Sequence, residues 1–205
     1  GPIGMFTILL ARAFGAAKVI VADINERNLA MAENLGAHNT VLLYPSAPRV
    51  GGGEDGSREY TIAGFKEEAA DASLLKEISA RTYGKGVDVC FEMAGPLASV
   101  VNAHAITRSG GNVILFGLKD GNFALPHFNR IIVKGLTLHA VIGRQIFRTW
   151  QTSQRMLSDR KNSIQDAIWD VMLKRGEETV IPFSSYSKEK FAAKMAQHPK
   201  IIIKF

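Results

Sequence analysis

At 205 residues with 46% hydrophobic content, the chain is long enough for one well-packed domain with appendages and too short for two domains of ordinary size. No apolar run of roughly 18 or more residues occurs, and the apolar start Ile3 to Leu10 soon meets Arg12, so neither a membrane span nor a usual signal peptide is expected. The formal net charge of +6 is spread along the chain without a basic block interleaved with aromatics, which speaks against nucleic acid as a partner.

The chain opens on Gly1-Pro2-Ile3-Gly4 and runs apolar to Phe14, with Gly15 placed as a helix C-cap, so a helix begins abruptly. Lys18 to Ala22 is a short β-branched run ending at Asp23. Asn25 to Leu35 then has helical periodicity and stops at Gly36, and Thr40 to Leu43 is another short strand. From Tyr44 to about Gly64 the composition shifts to Pro, Gly, Ser and charge, including Gly51, Gly52 and Gly53. Such a segment buries too little to fold, and a flexible insertion is expected over about 44–64.

Periodicity returns from Phe65 to Thr82, followed by a strand over Val87 to Phe91 and a helix over Pro96 to Thr107. Gly110 and Gly111 are expected to stop that helix before a strand at Asn112 to Phe116. After a loop from Gly117 to Pro126, Gly135 to Val141 reads as a strand and Gln145 to Leu157 as a helix. Ile164 to Leu173 and Ser187 to Gln197 read as helices, and Lys200 to Phe205 as a terminal strand. Short apolar strands alternating with helices imply a parallel sheet covered on both faces, an α/β doubly wound domain. The single cysteine, Cys90, excludes an internal disulfide and fits a reducing, cytoplasmic setting.

A dinucleotide fingerprint needs a strand, then G-x-G-x-x-G opening a helix, then an acidic residue about 20 positions on. Gly1 and Gly4 fit its second and third glycines, with Pro2 and Ile3 between them, and Asp23 ends the next strand. The helix N-terminus supplies donors and positive dipole to a pyrophosphate, and a carboxylate at Asp23 can accept ribose hydroxyls. The plain alternative for Asp23 is a cap on the following helix, and the two roles are compatible. On this reading the first glycine and its strand precede residue 1, and the natural protein is expected to be longer. A carboxylate at Asp23 would repel the 2′-phosphate of NADP, so NAD is the expected cofactor.

The stretches Gly1 to Gly4, Val21 to Asn25, Gly86 to Gly95, Gly110 to Leu118 and Gly143 to Trp150 together resemble zinc-dependent medium-chain dehydrogenases, in particular their threonine dehydrogenase branch. The resemblance covers most of residues 1–158 and resumes loosely near the C-terminus. It implies a Rossmann dinucleotide-binding domain over 1–158, truncated at its N-terminus, and a return segment over 159–205 toward an absent catalytic domain. It further implies that Ile3 and Asp23 contact the dinucleotide, that Phe116, Gly117 and Leu118 line the nicotinamide side, and that Val141 and Ile142 hold the carboxamide edge. Asn28 stands on the adenosine side, where the family commonly has a basic residue; Arg27 comes one step early.

The family uses zinc held by Cys, His and Glu of the preceding domain. No such ligand set is assignable here: His38, His104, His127, His139 and His198 show no i, i+4 pairing, and Cys90 has no second thiol. Glu92 reads as a strand-end carboxylate capping the next turn rather than a catalytic group. Arg144 and Trp150 are either interdomain or subunit contacts, or a solvated Arg beside a packed Trp. The expected function is NAD-dependent oxidation of a secondary alcohol, threonine-like or a polyol, by hydride transfer. The chain supplies the cofactor-binding part of a homo-oligomer and is inactive alone. A non-catalytic dinucleotide-binding or scaffold remnant is the alternative. A methyltransferase using S-adenosylmethionine is a third reading, opposed by the match at Gly143 to Trp150.

Overall fold

The computed structural model describes residues 1–44, 70–118 and 125–205. By its internal contacts the chain divides into two compact units, Gly1–Leu42 with Gly143–Phe205, and Leu43–Ile142. Nearly all of the expected insertion, and the start of the helix read from Phe65, lie outside the described residues.

In the first unit, helix α1 (Pro2–Ala13) starts with proline, whose fixed φ suits the first helical position and whose missing N–H would be unpaired there anyway. It buries Met5, Ile8 and Leu9, the i, i+3, i+4 face of an amphipathic helix. Strand β1 (Ile20–Asp23) pairs in parallel with β2 (Asn39–Leu42), Ile20 opposite Asn39 and Asp23 opposite Leu42. Between them α2 (Glu26–Asn34) is capped by Asn25, whose side chain accepts the Arg27 N–H, and buries Leu29 and Ala32. Met5, Ile8, Leu9, Ala32 and Leu35 share one core with Ile164 and Met172. The apolar stripe of the first helix is therefore core.

The second unit holds α3 (Ala72–Arg81), β3 (Val87–Glu92), α4 (Leu97–Ile106), β4 (Thr107–Leu115), α5 (Asn129–Lys134) and β5 (Thr137–Ala140). Strands β3, β4 and β5 form one parallel sheet in that order. Asp71 caps α3, its side chain accepting from Leu74 N–H. Two features differ from the sequence reading. Helix α4 ends at Ile106 and Thr107 already pairs with Val87, so Gly110 and Gly111 do not stop the helix but sit in an irregular stretch of β4. Gly110 has φ of +68°, and a Cβ on Gly111 would lie 2.5 Å from the Thr107 methyl. Helix α5 falls in 127–134, to which the sequence reading assigns no element; its close at Gly135, left-handed at φ 57°, is the signal that marks it.

The remainder of the first unit carries α6 (Arg148–Ser158), α7 (Ile164–Ala167) passing into a π turn over Ile168–Met172, β6 (Val180–Pro182), α8 (Lys188–Gln197) and β7 (Ile202–Lys204). The expected helix from Ile164 to Leu173 is thus a short α segment continued by a wider turn. Strand β6 was not anticipated, being three residues long and ending in proline; it pairs in parallel with β7. Every strand pair among the described residues is parallel, and the fold is the expected α/β class, doubly wound.

Candidate functional site

The first group of candidate residues lies where α1 begins and β1 ends. No side chain caps the α1 N-terminus and its first turn carries no acidic residue, so its leading N–H groups remain available to an anion. Around the positions a Cβ would take on Gly1 and Gly4 there is no heavy atom within 4 Å, and an incoming group can approach the backbone closely. Ile3 is 47% exposed on the same turn.

Asp23 meets this turn: the amine of Gly1 lies 3.5 Å from its Oδ2. Asn25 N–H donates to Asp23 Oδ1 at 2.9 Å, and the Asn28 amide Nδ2 donates to Oδ2 at 3.0 Å. The structure therefore brings Gly1, Asp23 and Asn28 together. It also shows that the helix cap is Asn25, while Asp23 accepts from the loop just before it. The chemistry of this group fits a phosphate against the α1 start and a hydroxyl donor at the Asp23 carboxylate.

The second group lies at the carboxyl ends of β4 and β5. Phe116 and Gly117 leave β4 with their N–H groups donating to the Glu92 carbonyl, at 2.8 and 3.1 Å, and Val141 N–H donates to Leu115 O at 2.9 Å. Leu118 and Ile142 are 79% and 81% exposed. Phe116, Gly117, Leu118, Val141 and Ile142 thus stand beside one another at the ends of neighbouring parallel strands, the place where open α/β sheets take ligands.

Glu92 holds the adjoining turn together. It is buried, and its Oε1 accepts from Ala94 N–H, Gly95 N–H and the Ser99 hydroxyl at 2.8, 2.8 and 2.7 Å. This is the turn-capping role expected of it. The sequence reading has Gly95 only as the end of a matching stretch and does not single out Ser99, although the Gly three residues after a strand-end Glu is a turn signal. On the same strand, burial first and then the Glu92 charge push the Cys90 thiol up to about 12, against a lowering hydrogen bond with Thr107.

Arg144 lies 5.9 Å over the Trp150 ring, which also meets Phe147 edge-on at 6.0 Å and is 53% exposed. Trp150 is therefore a surface ring with a cation over it, not a core residue. Among the described residues there is no group of three or more His, Cys, Asp or Glu side chains able to hold a metal ion, so the described residues do not fit a zinc site. No helix among them is long and apolar enough to cross a membrane.

The sequence profile of the zinc-binding dehydrogenases matches residues 2–46 and 60–159. The chain belongs to the zinc-binding dehydrogenase family. It is 32% identical to the L-threonine 3-dehydrogenase of Pyrococcus furiosus over 169 residues, covering 82% of this chain and 41% of that protein. With the L-threonine 3-dehydrogenase of Bacillus subtilis the identity is 29% over 158 residues, 77% of this chain and 38% of that one. The chain thus spans about two-fifths of the length of these relatives.

Among solved structures it is similar to an alcohol dehydrogenase from Thermotoga maritima, with a TM-score of 0.66 and 17% identity, over 99% of this chain and 47% of that one. It is also similar to the benzyl alcohol dehydrogenase from Acinetobacter calcoaceticus, with a TM-score of 0.67 and 19% identity, over the same shares. These likenesses establish the fold of the zinc-type alcohol dehydrogenases across the chain.

Proposed function

We propose that this chain supplies the dinucleotide-binding part, residues 1–158, of an NAD-dependent dehydrogenase that oxidises a secondary alcohol, threonine-like or a polyol. Residues 159–205 form the segment returning toward the catalytic domain. The carrying observation is the meeting of the uncapped, acid-free α1 start with the Asp23 carboxylate at the end of β1. Gly1, Pro2, Ile3 and Gly4 admit a pyrophosphate to the helix start, and Asp23 and Asn28 take the adenosine ribose. Phe116, Gly117 and Leu118, with Val141 and Ile142, line the nicotinamide side through backbone groups and apolar contact. When bound, NAD accepts a hydride from the alcohol carbon. The chain's own residues bind and orient the cofactor; the family's zinc would be held by residues outside those described, and no step is drawn through it.

The similarity to L-threonine 3-dehydrogenases supports the substrate class. The protein works in the cytoplasm as a homo-oligomer and takes a small-molecule alcohol as its substrate. The test is calorimetric titration of the protein with NADH. Binding that disappears in Asp23→Ala, in a variant that still melts cooperatively, is the expected result. Absence of NADH binding by the unaltered protein would overturn the reading. NADH binding without oxidation of any secondary alcohol by the whole gene product would favour a non-catalytic dinucleotide-binding role.

A further inference from the structure

Glu92 ends β3 behind the backbone that leaves β4, and its side chain is buried. Its two oxygens have different surroundings. Oε1 accepts three hydrogen bonds, from Ala94 N–H, Gly95 N–H and the Ser99 hydroxyl. Oε2 accepts none among the described residues and is closed off from solvent. It faces Gly117, where a Cβ would lie 2.7 Å from it. Gly117 is itself only half-buried, so little more than its backbone separates Oε2 from the surface that Phe116, Gly117 and Leu118 form.

No cation among the described residues pairs with this carboxylate: the three donors on Oε1 are neutral, and none of the ion pairs involves Glu92. The start of α4, whose first turn holds Ser99, offers about half a positive charge and offsets only part of it. The charge is felt close by, since after burial it is the cause that raises the Cys90 thiol. A buried charge is weakly screened and acts on whatever binds across the neighbouring backbone. The two forms of a nicotinamide cofactor differ there by one charge, the oxidised ring being cationic and the reduced ring neutral.

We propose that the Glu92 carboxylate, acting across the Gly117 backbone, favours the cationic oxidised ring over the neutral reduced one and so sets which form of the cofactor the site retains. This goes beyond its turn cap and rests on the reading that Phe116, Gly117 and Leu118 line the nicotinamide side. The preference aids loading of the oxidised cofactor and release of the reduced one, the direction that alcohol oxidation needs.

Dissociation constants for NAD⁺, NADH and ADP-ribose, which lacks the ring, test this on the unaltered protein and on three variants, each checked for a cooperative melt. Glu92→Gln keeps an acceptor for the turn and removes the charge. Ser99→Lys, at a half-buried position, keeps the carboxylate and adds a cation beside it. Ser99→Ala removes one neutral donor and no charge. Glu92→Gln and Ser99→Lys should each weaken NAD⁺ roughly tenfold relative to NADH, with ADP-ribose held within about twofold. Ser99→Ala should leave the NAD⁺ to NADH ratio as it is. Weakening of NAD⁺ and NADH by the same factor in Glu92→Gln, or of neither, would confine Glu92 to its turn cap and overturn the proposal. If that variant does not melt cooperatively, Ser99→Lys decides by the same ratio. In these outcomes ADP-ribose still binds, and the dinucleotide reading stands. Failure of the unaltered protein to bind any of the three overturns both together.

Discussion

Gly117 passes Gly95 so closely that a Cβ on Gly117 would lie 2.2 Å from the Gly95 nitrogen and 2.7 Å from Glu92 Oε2. Neither backbone can yield without breaking the bonds that hold it, since Gly117 N–H donates to the Glu92 carbonyl and Gly95 N–H to the Glu92 carboxylate. Gly117→Ala is therefore expected to cost about 3 kcal/mol or more in unfolding free energy, measured from urea curves at constant m. An unchanged midpoint would show that the crossing is looser than its geometry.

Lys134 closes helix α4 from outside. Its Nζ donates to the carbonyls of His104, Ala105 and Thr107 at 3.2, 2.8 and 2.6 Å, groups left without partners where a helix ends. A cation there also complements the helix dipole. Lys134→Met keeps the stem and removes the donors, and should lower stability by roughly 2 kcal/mol. Thermal melting checks it: a variant as stable as the parent would mean that water replaces the ammonium without loss.

His104 is buried on α4, and its Nε2 has no hydrogen-bond partner among the described residues. Burial, then the charges of Arg130 and Lys134, hold its pKa below the ordinary 6.5. A folded state that binds the proton less readily than the unfolded chain loses stability as pH falls through about 6.5, and the loss stops below the depressed folded value. Urea midpoints at neutral and mildly acidic pH should therefore separate less in His104→Leu than in the parent. An identical separation would remove His104 as a contributor to the acid sensitivity.

Cys90 should be a poor nucleophile. With its thiol raised to about 12, almost none is thiolate at pH 8, and the thiolate is the reactive form. Alkylation of the native protein at that pH is expected to be slower than in denaturant by at least about a hundredfold. Equal rates would show that the strand opens faster than the reagent reacts.

The legible parts of the fold were those with a repeating apolar face or a cap. The i, i+3, i+4 stripe of Met5, Ile8 and Leu9, and Asn25 before α2, each place an element within a few residues of its observed bounds. Helix α5 escaped because its apolar residues face outward, with Ile132 66% and Val133 84% exposed, so no buried periodicity marks it. Strand β6 escaped because its pairing with β7 is a long-range fact that three residues cannot announce. At the candidate site Asp23 was legible from its strand-end position. The partner of Asn28 was not, because a side-chain amide has the same sequence signature whether it faces solvent or a carboxylate. The Glu92 turn cap was read correctly, yet the crossing of Gly95 and Gly117 needed the register of β3 against β4.

Because every described strand pair is parallel, no strand meets its partner through a tight turn. Asn112 must wait for Thr137, and Val180 for Ile202, with a helix formed between each pair. During synthesis an emerged strand thus carries an unpaired apolar edge until the next arrives, and loop closure rather than local zippering sets the pace of assembly. The interval when β4 has left the ribosome and β5 has not is therefore one in which the edge of β4 is expected to be open to aggregation.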